Sequence, residues 1–241
     1  MISTKHNLTL LLLLSASFSL NAAENWAGAN VGLNFSTYDY ENKGDGASFD
    51  DVDELALEVW AATNDKKSDN GVGFGIKAGY NWQTNNFVYG VLADLTYVDA
   101  EIKSESPEGI TGDFYSYKRV DKLNWLATVR GKAGVDLNGF LPYVSAGLAV
   151  ADVENKHQTI TCCPTLYESS KSDTEVGYVI GVGVEKKFNE HLGISFDYSY
   201  IDLGKNRGNA RGIVDGNAAN PSRVKLDNEL TLISLGLNYY F

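Results

Sequence analysis

The chain has 241 residues, a formal net charge of −11, 21% charged residues, 12% aromatics, 24 glycines and four prolines. Phosphate contact needs clustered Lys and Arg, so this acidic balance argues against a nucleic-acid binder. The aromatic content is too high for a disordered chain, and no run of about 18 apolar residues is present to cross a membrane as a helix.

Residues 1–23, MISTKHNLTLLLLLSASFSLNAA, carry a weakly basic head at Lys5 and His6, a mostly apolar stretch from Leu8 to Leu20, and small residues at Ala22 and Ala23. That is the order of a cleaved export signal, and its apolar core is too short to span a bilayer. Cleavage after Ala22 or Ala23 would leave 24–241 as one exported domain.

From Trp26 onward the pattern has period two, as expected of strands whose faces meet different surroundings. In the first strand Ala27, Ala29, Val31, Leu33 and Phe35 alternate with Gly28, Asn30, Gly32 and Asn34. A long connection, about 40–70, follows, and Asp50, Asp51, Asp53, Glu54 and Glu58 make it acidic. It reads as a solvated loop, with cation or partner contact as the functional alternative. The second strand sets Val72, Phe74, Ile76, Ala78, Tyr80 and Trp82 against Gly73, Gly75, Lys77, Gly79, Asn81 and Gln83. The third sets Phe87, Tyr89, Val91, Ala93, Leu95 and Tyr97 against Gly90, Asp94 and Thr96. After a connection at about 103–122, the fourth places Leu123, Trp125, Ala127, Val129, Ala133 and Val135 opposite Asn124, Thr128, Arg130, Lys132 and Asp136. Four more strands are predicted at about 141–153, 175–188, 192–202 and 228–241, with long connections at about 155–174 and 203–227. The last connection is basic, with Lys205, Arg207, Arg211, Arg223 and Lys225.

Short connections fall at Asn85–Asn86, Asn138–Gly139 and Asn189–Glu190. Asn-Gly is a strong hairpin signal because both positions tolerate positive φ. Short turns on one rim and long loops on the other are the arrangement of outer-membrane barrels. Aromatics gather at strand ends: Trp82, Phe87, Tyr89, Phe140, Phe188 and Phe241 toward the short-turn rim, and Tyr38, Tyr97, Trp125, Tyr178 and Tyr198 toward the other. Such rings settle at membrane–water boundaries and form girdles.

Charges fall on the face opposite the apolar one: Lys77, Asp94, Arg130, Lys132, Glu185 and Asp197. Only a closed sheet satisfies every backbone group in a bilayer, so lipid takes the apolar side and the small and charged residues face a narrow lumen. The predicted fold is all-β, an eight-stranded antiparallel up-and-down transmembrane β-barrel. The six charges are the expected lumen network. They either neutralise one another in a plugged barrel or swap partners as a gate.

Signals for other chemistry are weak, and no catalytic, cofactor-binding or metal site is assigned. The glycines of GVGFG (71–75) and GVGV (181–184) recur on a strand face with no helix after them, unlike a phosphate loop. A hydrolase needs a base beside a nucleophile, yet His157 and His191 fall at opposite rims. Cys162 and Cys163 are adjacent in TCCPT, the third long connection. In an oxidising compartment they form a vicinal disulfide, remain thiols or pair between chains, and the expectation is the vicinal bridge. With His157 they match no strong zinc spacing.

Three stretches carry a family resemblance. NWLATVRGKAGVDLNGFLPYVSAGLAVADVE resembles the central hairpin of the small bacterial outer-membrane surface-antigen barrels, the OmpA-like or porin-family barrels. GYVIGVGVEKKFNEHLGISFDYSYIDLG resembles their sixth and seventh strands, and WAGANVGLN their first. The closing LGLNYYF is similar to a carboxy-terminal sorting signal, which the resemblance assigns to Tyr239 and Phe241. The peptidoglycan-binding domain of full-length OmpA proteins is not expected, since the chain ends at its last strand. The resemblance implies a multi-pass protein of the bacterial outer membrane with both termini periplasmic. Its expected partners are outer-membrane lipid and lipopolysaccharide, the barrel assembly machinery, and a host or environmental ligand at the loops. The expected function is a structural surface antigen or adhesin. A narrow porin-like channel is the alternative, and an enzyme acting on membrane lipid is the least favoured.

Overall fold

The computed structural model describes residues 25–48, 67–105, 116–160, 166–210, 213–214, 217–218 and 222–241. The expected export signal, the acidic stretch 50–58, Cys162 and Cys163 lie outside the described residues. So do the side chains of His157 and of the basic residues of 203–227. The strands are β1 (Gly28–Ser48), β2 (Lys67–Thr84), β3 (Phe87–Glu105), β4 (Ser116–Val135), β5 (Phe140–Ile160), β6 (Leu166–Lys187), β7 (Leu192–Ala210), β8 (Ile213–Val214), β9 (Asn217–Ala218) and β10 (Ser222–Tyr240). Eight of them close an antiparallel barrel in the order β1-β10-β7-β6-β5-β4-β3-β2, while β8 and β9 form a two-residue ladder. The closing pair runs from Asn30↔Tyr240 through Leu33↔Leu237 to Ser48↔Arg223, so the chain's last residues seal the sheet against its first.

Period-two patterning decides which way each side chain points. Leu33, Phe74 and Leu148 are 64%, 65% and 63% exposed, and an outward belt of Val, Leu, Ile and aromatic residues runs round the wall. In water that belt would be costly, at about 25 cal/mol per Å² of apolar surface. In a bilayer it meets hydrocarbon, while the closed ladder pairs the backbone of each strand with both neighbours, as a bilayer requires. Trp82, Phe87, Tyr89, Phe188 and Phe241 are exposed toward the short-turn rim, and Tyr97, Tyr178 and Tyr198 toward the long-loop rim. Two turns use left-handed backbone, at Asn85 (φ 53°) and at Asn138–Gly139 (φ 58° and 79°). The third is held differently: Asn189 Oδ1 accepts the His191 and Leu192 N–H groups at 2.9 and 2.8 Å.

The structure corrects four expectations. Strand pairing continues well past the belt, through Glu105↔Lys118 and Ile160↔Leu166, into the ranges 40–70, 103–122, 155–174 and 203–227 expected to be loops. Outside the membrane the outer face meets water, so the apolar alternation fades although most of the ladders continue. Tyr38 belongs to no outer girdle: it shares the inward parity of Asn34 and Ser36 and is buried. Leu123, expected on the lipid face, is fully buried inside, because a bulge between Leu123 and Trp125 inserts a residue and inverts the parity. Finally, the interior is small and charged only in part. Tyr40, Val98, Ala100, Ile102, Leu126, Ala149, Val179, Ile201 and Leu232 belong to one buried apolar cluster toward the long-loop rim.

The shape of that upper wall explains the cluster. Pairing of β2 with β3 stops at Gly73↔Val98, so Lys67–Val72 and Asp99–Glu105 share no ladder. Pairing of β6 with β7 likewise stops at Tyr178↔Asp202. A bulge between Tyr97 and Ala100 turns β3, and Gly204, at φ +76°, turns β7. Above the belt the wall therefore parts into two four-stranded sheets, β3–β6 and β7-β10-β1-β2, which bury apolar faces against each other as sandwiches do.

Candidate functional site

The six charges singled out in the sequence all point into the lumen. Lys77, Arg130, Lys132, Glu185 and Asp197 are at most 6% exposed, and the Asp94 side chain is 9% exposed. Three positive and three negative groups share the space, and the structure divides them among three pairs. Lys132 Nζ on β4 donates to Glu185 Oε1 on β6 at 2.8 Å, across the barrel. Lys77 Nζ on β2 lies 3.9 Å from Asp197 Oδ2 on β7 and donates to Ser195 Oγ at 2.5 Å. Arg130 Nη2 donates to Asp94 Oδ2 at 2.8 Å, and its Nη1 donates to Ser199 Oγ at 3.0 Å and more weakly to Ser145 Oγ at 3.4 Å.

Neutral residues complete these pairs, and the sequence reading missed them. Tyr143 Oη donates to Asp197 Oδ1, and Lys132 Nζ lies 5.0 Å from the centre of the same ring. Tyr240 Oη donates to the second Glu185 oxygen, Oε2, at 2.9 Å, and Thr128 Oγ1 donates to Asp94 Oδ2 at 3.0 Å. Parity would have found the phenols. Tyr143 shares the parity of Ser145, and Tyr240 has the opposite parity to Tyr239 and Phe241, so both rings enter a charged lumen. Lys77 reaches its partners through a gap left by two glycines. A Cβ at Gly236 would lie 2.4 Å from Ser195 Oγ and 2.8 Å from Lys77 Nζ, and one at Gly32 would lie 3.0 Å from Lys77 Cε.

Apolar packing bounds the charged layer on both sides. Toward the short-turn rim Trp26, Val88, Leu141 and Tyr240 form a buried cluster. Trp26 and Tyr240 meet edge to face with centroids 5.6 Å apart, and Trp26 Nε1 donates to Asp136 Oδ1 at 3.1 Å. Lys187 Nζ lies over both rings, 5.1 Å from Trp26 and 4.4 Å from Tyr240, and donates to the Asn25 carbonyl at 2.5 Å. Toward the long-loop rim the charged layer ends at Leu126, Val179, Ile201 and Leu232. A cavity of about 20 Å³ remains between those residues and Lys77, Asp94, Arg130 and Asp197, room for about one water. Higher still, Asn228 Oδ1 accepts from Tyr40 Oη at 3.0 Å and from Asn42 Nδ2 at 2.9 Å, and its own Nδ2 donates to Glu175 Oε2 at 2.9 Å.

Among the other residues considered in the sequence, His191 is exposed at the short-turn rim with its ring 5.6 Å from that of Tyr239. The Tyr239 and Phe241 side chains face outward, with rings 5.1 Å apart.

Comparison with known proteins gives a consistent picture. A family model described as "Outer membrane protein beta-barrel domain" matches residues 8–241. Over 132 residues the chain is 36% identical to the 22 kDa outer membrane protein of Rhizobium leguminosarum bv. viciae, which covers 54% of this chain and 53% of that protein. The chain thus spans about half the length of that relative. It is 28% identical over 218 residues to the 31 kDa outer-membrane immunogenic protein of Brucella melitensis biotype 1, covering 90% of this chain and 84% of that one. Among solved structures, the outer membrane protein OprG of Pseudomonas aeruginosa aligns with a TM-score of 0.52 at 16% identity, over 89% of this chain and 97% of that one. At that identity the likeness is one of fold.

Proposed function

The chain belongs to the outer membrane protein beta-barrel domain family, and on that premise we propose that it is a sealed surface scaffold whose work is done by its long loops. The observation that carries this reading is the sequence of closed cross-sections in the lumen. An apolar cluster, three mutually neutralising ion pairs and a second apolar cluster follow one another along the axis. An ion crossing that path would lose its water twice, so the layers oppose the narrow-channel alternative. The reading as surface antigen or adhesin also draws support from the relative named an outer-membrane immunogenic protein.

In this reading residues 1–23 direct export and are removed, both termini face the periplasm, and the long loops face outward. The partners are outer-membrane lipid and lipopolysaccharide along the belt, the assembly machinery at Tyr239 and Phe241, and a host or environmental ligand at the loops. Planar bilayers holding the refolded protein test the sealed lumen. The expected record is flat, and reproducible single-channel steps altered by Arg130→Ala would overturn the reading. A cysteine placed at Asn86 tests the orientation. A membrane-impermeant maleimide should reach it only after the outer membrane is opened, and labelling of intact cells would reverse the assignment. Deleting 50–58 or 161–165 should remove antibody or host-cell binding, and full binding without either segment would count against the loops.

A further inference from the structure

Two buried polar atoms of the lumen have no partner within the protein, and both belong to residues lining one cavity. Arg130 directs Nη2 to Asp94 Oδ2 and Nη1 to the Ser199 and Ser145 hydroxyls, but its Nε–H meets no acceptor of the chain. Asn34 Oδ1 receives no donor. The two residues are 5% and 8% exposed, so bulk water does not serve them. Both line the cavity of about 20 Å³ on the long-loop side of the charged layer. Asn34 is one of four inward asparagines set opposite a glycine of the next strand: Asn30 faces Gly79, Asn81 faces Gly90 and Asn238 faces Gly32. Asn34 itself faces Gly75, where a Cβ would collide with its Oδ1. The glycine lets the amide lie along the wall instead of across the lumen. Of the four, Asn34 is the one that borders the cavity.

We propose that this cavity is a binding site for one water molecule, which accepts from Arg130 Nε–H and donates to Asn34 Oδ1. The ligand follows from the chemistry of its walls. One orphaned atom gives a proton and the other takes one, and water is the small ligand that does both. Two cations, Lys77 and Arg130, and two carboxylates, Asp94 and Asp197, face the space, so neither an anion nor a metal cation gains a net attraction there. The volume suits a single water, and a buried water makes two to four hydrogen bonds. Its second proton has the Asp94 and Asp197 carboxylates on the same wall. The consequence is a link that no ladder supplies. In barrel order β2 and β3 separate β1 from β4, and the water joins Asn34 on the first to Arg130 on the last. With Nε tied to β1 and Nη1 to β7, the guanidinium plane is fixed with Nη2 on Asp94. The water is thus a positioning ligand of the Arg130–Asp94 pair.

The test is nuclear magnetic resonance of the full chain refolded in detergent micelles with its arginine nitrogens isotope-labelled. The Arg130 Nε–H signal is identified by its loss in Arg130→Lys. In the wild type it should show a cross-peak to water whose sign inverts in the rotating-frame experiment, which separates a held water from proton exchange. Asn34→Leu removes the acceptor and fills the space, so the cross-peak should vanish while the Nε–H signal stays dispersed. Asn34→Asp keeps an oxygen there and should keep the peak. A wild type without the cross-peak would overturn the proposal. So would a peak that survives Asn34→Leu, since it would be relayed from a neighbouring hydroxyl such as Ser199. Crystals grown in bromide give a second arm: an anomalous peak in the cavity would make the ligand an anion and overturn the assignment of water. Heat-shifted gel mobility verifies that each variant is folded, and the wild-type measurement stands without them. None of these readouts depends on which way the barrel faces in the cell, nor on what its loops bind.

Discussion

Replacing Glu185 by leucine strips a buried ion pair of its acid. Lys132 Nζ, whose side chain is 2% exposed, would keep only the face of Tyr143, and Tyr240 Oη would lose its acceptor. Removing one partner of a buried pair costs about 3–5 kcal/mol, because the remaining charge stays desolvated. That is roughly two to four decades in the ratio of folded to unfolded protein. Replacing both partners by apolar residues of similar volume, Lys132→Met with Glu185→Leu, removes the stranded charge. The double variant should therefore return to within about 1 kcal/mol of the wild type or exceed it. Urea unfolding from lipid vesicles, followed by tryptophan fluorescence and gel mobility, measures all three proteins. A single variant within about 1 kcal/mol of the wild type would mean that Lys132 is solvated. A double variant as unstable as the single would mean that the pair does more than neutralise itself.

Trp26→Ala should cost about 3–5 kcal/mol, the range for truncating a buried Trp, since it removes the ring packed on Tyr240; the same urea titration measures it. Gly236→Ala should cost about 1–3 kcal/mol by crowding Ser195 and Lys77, and Ser195→Gly in the same chain should recover part of that loss. Above the belt, hydrogen bonds from Lys103 and Lys122 hold the Glu101 carboxyl down at about 2, against an ordinary 4.5. A lowered carboxyl contributes its stability in full above the ordinary value and loses it as pH falls through the folded one. The upper wall should therefore loosen between pH 4.5 and about 2, read as a falling urea midpoint. Glu101→Gln should flatten that slope, and an unchanged slope would assign it to other carboxyls.

The parts of the fold that face lipid were legible in the sequence, because a bilayer tolerates few exceptions to apolar alternation. Phe74, Ile76 and Tyr97 could be placed outside, and Lys77 and Arg130 inside, from parity alone. The six lumen charges could be named for the same reason. Two of the three pairs could not be read, since they join β4 to β6 and β2 to β7 across the barrel, between strands that share no ladder. Above the belt the reading failed for a different reason. There a bulge shifts the phase, so that Leu123 turns inward while Ala127 and Val129 further along β4 remain outside, and parity counted from the membrane gives the wrong face. The apolar upper interior went unseen for another reason: Val98 and Ala100 share the inward parity of Asp94 and Thr96, but small and charged residues alone were expected in the lumen.

The cross-lumen pairs act as the spokes of a wheel. A hoop of strands held only by its rim can ovalise, and a change at one point of the circumference then travels to every other. Lys132–Glu185 and Lys77–Asp197 fix the distance between staves that never touch along the wall. They stand between the lower end of the closing seam, at Asn30↔Tyr240, and the parted sheets of the upper wall. Insertions and substitutions beyond those sheets need not be transmitted to the lower end of the closing seam. The spokes thus let the long-loop end of the molecule vary in sequence without deforming the lower barrel.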